Sequence, residues 1–234
     1  MKKLLKVAFA FVLALGLTTT TVKAEETYIN VTSYTETFKP VGEDAELTTT
    51  VVATAGSDGY IYLIKNYKEI EVKSVTGENV VAELEEYTQG AVTYLRAKVV
   101  DPTAEATLTA VITCKGFYAE NLVADTNGTQ TNSIAYAFNN YFSSEIKKYN
   151  LTIFTPEGNE VIKVSAPKKY ADFKLGEEDG LLSVGLSGKV KLNGKSEINY
   201  TYGPATTGVA KLAVWAVCLA VGALVFIDRF KKAK

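Results

Sequence analysis

Apolar and polar side chains alternate with a period of two in several runs between residues 26 and 202, and no other feature constrains the fold as much. A strand projects successive side chains to opposite faces, so each run makes one dry and one wet face of a sheet. Tyr28-Ile29-Asn30-Val31-Thr32, Ala91-Val92-Thr93-Tyr94-Leu95-Arg96-Ala97 and residues 106–113 are examples. Thr, Val, Ile and Tyr, the types that suit a half-buried pleated surface, are abundant, and proline is scarce. Gly56-Ser57-Asp58-Gly59 separates residues 46–54 from 60–65, and Pro156-Glu157-Gly158-Asn159 separates 149–154 from 160–165. Asn193-Gly194 reads as a type I′ hairpin turn, with Val190 and Leu192 alternating before it and Ile198, Tyr200 and Tyr202 after it. Residues 135–142 fit a strand or a short helix. About a dozen strands result. The expectation is an all-β chain with two small β-sandwich-like domains, 25–115 and 116–207. The boundary falls near 116–131, where Asp125-Thr126-Asn127-Gly128-Thr129 is polar and turn-prone.

The two ends predict a topology. Lys2, Lys3 and Lys6, the short apolar run 7–17 and the small-x-small site Val22-Lys23-Ala24 read as a secretory signal over residues 1–24. Residues 208–227 read as one C-terminal transmembrane helix, with Lys211 near the membrane edge. The apolar stretch 209–227 is 19 residues long. As a helix it spans roughly 28 Å, close to the ~30 Å hydrocarbon core. Arg229, Lys231, Lys232 and Lys234 then mark 228–234 as a cytosolic tail. Ala216 and Ala220 lie four apart on one face of that helix and form a small-x-x-x-small pair for packing against a partner helix.

Composition narrows the function. Residues 25–207 hold 16 basic and 25 acidic side chains, a net charge of −9. That argues against nucleic acid, which needs a basic footprint. The sequence contains no histidine, which removes Ser-His-Asp and Cys-His catalysis and imidazole-ligated metals. Neither a catalytic residue nor a cofactor nor a metal site is expected. Cys114 lies in the β region and Cys218 in the span, so the two cannot pair; Cys114 alternates with apolar neighbours as a buried thiol does.

Motifs add little chemistry. Gly194-Lys195-Ser196 resembles the end of a phosphate loop, but Lys189 stands where the earlier glycine is needed. Glu83, Glu85 and Glu86, and Glu177, Glu178 and Asp179, lack calcium-loop spacing and read as solvated edges. Sequons at Asn30, Asn127, Asn150 and Asn199 are glycosylation positions if the compartment glycosylates. Lys231 and Lys232 match a dilysine signal for retrieval to the endoplasmic reticulum. Gly203-Pro204-Ala205-Thr206-Thr207 is a degenerate sortase-like site. Tyr136, Phe138, Tyr141 and Phe142 are either core or a partner surface.

Several stretches together resemble the ribophorin I family. They are Ile29-Asn30-Val31-Thr32 with the alternation after it, the Pro-led stretch 98–111, the aromatic run Ser133 to Phe142, the strand pair 149–165, and Ile198-Asn199-Tyr200-Thr201-Tyr202 before the span. Compared with that family the ectodomain is shortened and a long cytosolic extension is missing. The resemblance implies an accessory, non-catalytic, single-pass subunit of the oligosaccharyltransferase complex. It would be a glycoprotein of the endoplasmic reticulum membrane with its β domains lumenal. Its partners would be the catalytic subunit, other membrane subunits and the protein translocation channel. A translocon-associated protein subunit and a bacterial cell-surface or adhesion protein are the alternatives.

Overall fold

The computed structural model describes residues 30–124, 130–169 and 172–205. The expected signal, span and tail, and with them Asn127, Ala216, Ala220, Lys231 and Lys232, lie outside these residues. Among the described residues no helix is long and apolar enough to cross a membrane.

The all-β expectation holds: the described residues form fourteen strands in three sheets. The large sheet has seven, in the order β12 (Lys174–Glu178), β13 (Leu181–Val190), β10 (Ile146–Phe154), β1 (Asn30–Val41), β2 (Asp44–Thr54), β7 (Glu105–Cys114) and β4 (Ile70–Glu78). Two smaller sheets cover one of its faces. One is β11 (Asn159–Ala166), β14 (Lys195–Pro204), β9 (Gln130–Asn139) and β8 (Leu122–Ala124); the other is β3 (Tyr60–Ile64), β6 (Val92–Lys98) and β5 (Glu85–Gln89). Residues 135–142 therefore open on a strand rather than a helix.

The period-two pattern sorts the side chains as the sequence predicts. Leu47, Val51 and Ala53 on β2 and Ala106, Leu108, Ala110 and Ile112 on β7 are buried in one core, together with Tyr34 and Phe38 on β1. Across the sandwich, Tyr34 meets Phe138 of β9 at 5.0 Å between ring centroids, and the Tyr34 hydroxyl accepts the Ile64 amide of β3 at 3.1 Å. The opposite face of the large sheet stays polar. Thr35, Thr50, Thr109 and Thr76 stand in register across β1, β2, β7 and β4, and the Thr50 and Thr109 hydroxyls are 3.0 Å apart.

Two expectations need correction. First, 25–115 and 116–207 do not form separate sandwiches. β10 lies parallel to β1, pairing Tyr34 with Tyr149 and Phe38 with Ile153, so one sheet and one core draw on both halves. Second, Asn193-Gly194 does not close a hairpin. β13 belongs to the large sheet and β14 to the four-stranded sheet, so the turn carries the chain between layers. The amide of Gly194 bonds the Lys191 carbonyl at 2.8 Å, and Asn193 alone of the pair has positive φ. The central residues are thus Leu192 and Asn193. A type I′ hairpin occurs instead at Asp179-Gly180, where φ is 54° and 79° and Glu178 pairs with Leu181.

Candidate functional site

On β1 the inward positions run Tyr34, Glu36, Phe38, so the same alternation that buries two aromatics also buries a carboxylate. Glu36 is 1% exposed. The Tyr136 hydroxyl, from β9, donates to it at 2.9 and 2.8 Å from its two oxygens, and the Tyr149 hydroxyl, from β10, donates at 2.7 Å. Tyr136 Oη in turn accepts from Asn66 Nδ2 at 3.1 Å. The Tyr67 and Tyr136 rings stack at 6.1 Å, and Phe38 packs on Tyr136 at 5.0 Å. A buried acid normally needs polar partners. Here two phenols supply them, and no ion pair reaches Glu36 among the described residues.

This chain of hydrogen bonds ends in the wall of a cleft of about 530 Å³ where the two smaller sheets approach each other. One side is β9, through Ala135, Tyr136, Ala137 and Asn139; facing it are Ile64 at the end of β3 with residues 65–67 after it, and Ala91 with the first two residues of β6. The Lys65 amide bonds the Thr93 carbonyl at 3.0 Å, and Tyr94 Oη donates to the Tyr141 carbonyl at 3.0 Å, which ties β6 to the segment after β9.

The β9 side of the cleft is a strand edge. β8 pairs with β9 only through residues 130–132, and the Ser133 amide then bonds the Asn121 carbonyl at 3.0 Å. On the other side of the strand the Asn140 amide bonds Gly194 of the turn before β14 at 2.8 Å. Backbone groups alternate in direction along a strand. The amides and carbonyls of Ala135, Ala137 and Asn139 therefore point away from β14, toward the cleft. Among the described residues no strand pairs with them.

The residues singled out by sequence lie elsewhere. Glu85 pairs with Arg96 at 2.8 Å, Glu86 with Lys65, and Glu178 with Lys39 at 2.8 Å, while Glu83 is exposed. These are surface ion pairs, and no group of three or more His, Cys, Asp or Glu could hold a metal among the described residues. Lys195 pairs with Glu197. Asn30, Asn150 and Asn199 are exposed. Cys114 is buried, and burial pushes its thiol up to about 12. Tyr136, Phe138 and Phe142 are core, and Tyr141, 45% exposed, is the surface member of that run. Sequence reasoning passed over Glu36, Asn66 and Tyr149. The signal for Glu36 was present: an acid in phase with Tyr34 and Phe38.

No protein-family model matches the chain, and no curated protein matches it. Solved structures resemble it in part. Native leukotriene A4 hydrolase from Saccharomyces cerevisiae is 9% identical with a TM-score of 0.43, over 74% of this chain and 31% of that one. An M1 zinc metallopeptidase from Deinococcus radiodurans is 10% identical with a TM-score of 0.41, over 76% of this chain and 42% of that one. The chain spans less than half the length of either. The resemblance to ribophorin I is corrected: no family model or curated protein bears it out, and the structures found are of metallopeptidase and leukotriene A4 hydrolase type, at a similarity that assigns this chain no family. The accessory oligosaccharyltransferase role, and the N-glycosylation and complex-subunit assignments drawn from it, fall with that resemblance. The translocon-associated and adhesion alternatives gain nothing in exchange. The expectation that the chain is not an enzyme is withdrawn: the structures that resemble it in part are of enzymes, and at this similarity they give this chain neither an activity nor the lack of one. The physical reason is common to all of these: alternation, a leader-like start and an apolar end describe a β-rich secreted or membrane chain of any family.

Proposed function

We propose that the chain is a β-sandwich recognition module that takes an extended polypeptide segment into the cleft between its two smaller sheets. The segment adds a strand to β9, using the amides and carbonyls of Ala135 and Ala137. The observation that carries this reading is the side of β9 turned away from β14, where the backbone groups of Ala135, Ala137 and Asn139 meet no strand among the described residues and lie inside a cleft rather than at an outer rim. An edge strand left open is a liability that proteins ordinarily blunt with charge, proline or cover. Ala135 and Ala137 are small and uncharged and leave room for another backbone. A leader at 1–24 and an anchor at 209–227 would hold the module on the non-cytosolic side of a membrane.

The test uses Ala137→Pro. Proline at this position removes an amide that faces the cleft and leaves the β9–β14 ladder intact. The full chain in mild detergent is screened against a library of short unstructured peptides. Peptides selected by the wild type should lose at least about tenfold in affinity for the variant, the loss of a backbone hydrogen bond with its neighbours displaced. Selected peptides that bind both proteins equally would show that the edge is not the site.

A further inference from the structure

Glu36 is the acid at the inner end of a hydrogen-bond chain that reaches the cleft. The titratable groups facing it are Tyr34 on its own strand, Tyr136 on β9, Tyr149 on β10, Tyr67 after β3 and Cys114 on β7. Burial pushes each of these phenols and the thiol up, so they stay protonated at neutral pH. Burial also pushes the Glu36 carboxyl up, to about 7, against the lowering effect of the hydrogen bonds from Tyr149 and Tyr136. Of this group Glu36 alone changes charge near neutrality.

Its two forms require different hydrogen bonds. An ionised carboxylate only accepts. Both phenols then donate to it, and the oxygen of Tyr136 remains free to accept Asn66 Nδ2, as observed. A neutral carboxyl carries one O–H that must itself donate. Tyr149 serves poorly as the acceptor, because it has no second hydrogen-bond partner among the described residues and its own O–H would be stranded. Tyr136 serves well. It can pass its O–H on to Asn66 if the amide turns over and offers Oδ1 in place of Nδ2.

We propose that the chain Glu36–Tyr136–Asn66 carries the protonation state of the core carboxyl to the cleft wall by turning over the Asn66 amide, and so makes binding of an extended segment pH-dependent. The pH-dependent binding rests on the recognition reading above; the turnover rests on the hydrogen bonds alone. With Glu36 ionised, Asn66 has its Oδ1 free for an incoming amide, beside Lys65, which can only donate. With Glu36 neutral, that acceptor is withdrawn. Binding is therefore tighter in the ionised state, by about fivefold for one hydrogen bond.

The full chain in mild detergent, labelled with ¹³C at glutamate carboxyls and ¹⁵N at asparagine amides, is titrated by NMR from about pH 5 to about pH 9, the range that brackets a carboxyl raised to neutrality. The Glu36 carboxyl and the Asn66 side-chain amide should move with one shared midpoint. In Tyr136→Phe the carboxyl should still titrate while the Asn66 amide stands still. In Glu36→Gln the Asn66 amide should be independent of pH. An Asn66 amide that stays fixed, or titrates at a different midpoint, in the wild type overturns the proposal without need of any variant. Affinity of the selected peptides is measured across the same range. Peptides that bind with no pH dependence overturn the coupling and leave the recognition reading standing. Shared titration in a protein that selects no peptide supports the turnover and overturns the recognition reading instead.

Discussion

Glu36 shows how one residue sets a property of the whole chain. Its carboxyl is raised in the folded protein by burial, whereas in the unfolded chain it titrates as an ordinary acid near 4.5. The folded state therefore holds the proton to higher pH than the unfolded state does. Its contribution to stability is fully present below the unfolded value and is lost as pH rises through the folded one. Between about pH 4.5 and about pH 7 the loss amounts to about 3 kcal/mol. Urea unfolding at a series of pH values should show stability falling across that window, and Glu36→Gln should flatten the fall. Equal pH profiles for the two proteins would count against the assignment. The residue was visible in the alternation Tyr34, Glu36, Phe38, but its partners were not. Tyr136 is 100 positions away and Tyr149 is 113, and no local pattern relates them.

At the scale of the element, turns and close contacts decide more than propensity does. The strands around 46–54, 60–65, 106–113 and 149–154 were legible because their apolar residues recur every second position. What their turns do was not legible. Gly56 to Gly59, Pro156 to Asn159 and Leu192-Asn193 each lead from one sheet into another. A glycine or asparagine signals that the backbone turns there, without saying which layer receives the next strand. Gly77 on β4 is a second case. A Cβ there would overlap the Thr107 carbonyl of the neighbouring β7 and crowd Val80. Nothing in the sequence around Gly77 marks that approach. Gly77→Ala should force the backbones apart and destabilise the protein by about 1–3 kcal/mol. Thermal unfolding together with faster hydrogen exchange along β4 would register it, and an unchanged Tm would show that the edge strand yields freely.

The whole molecule is organised by the parallel pairing of β1 with β10. That pairing inserts strands from the second half of the chain into the sheet begun by the first, with a continuous core beneath. The two halves should consequently unfold together. Denaturant curves followed by far-ultraviolet circular dichroism and by tyrosine fluorescence should coincide in one transition. Two separate transitions would restore the two-domain division at about residue 116. From the sequence alone came the all-β class, the phase of most strands and the burial of Cys114, because each depends on side chains one or two positions apart. The order of strands, the cleft, the open edge of β9 and the partners of Glu36 were decided only in three dimensions. Each depends on which distant strands meet, and a period of two is the same whichever neighbour a strand takes.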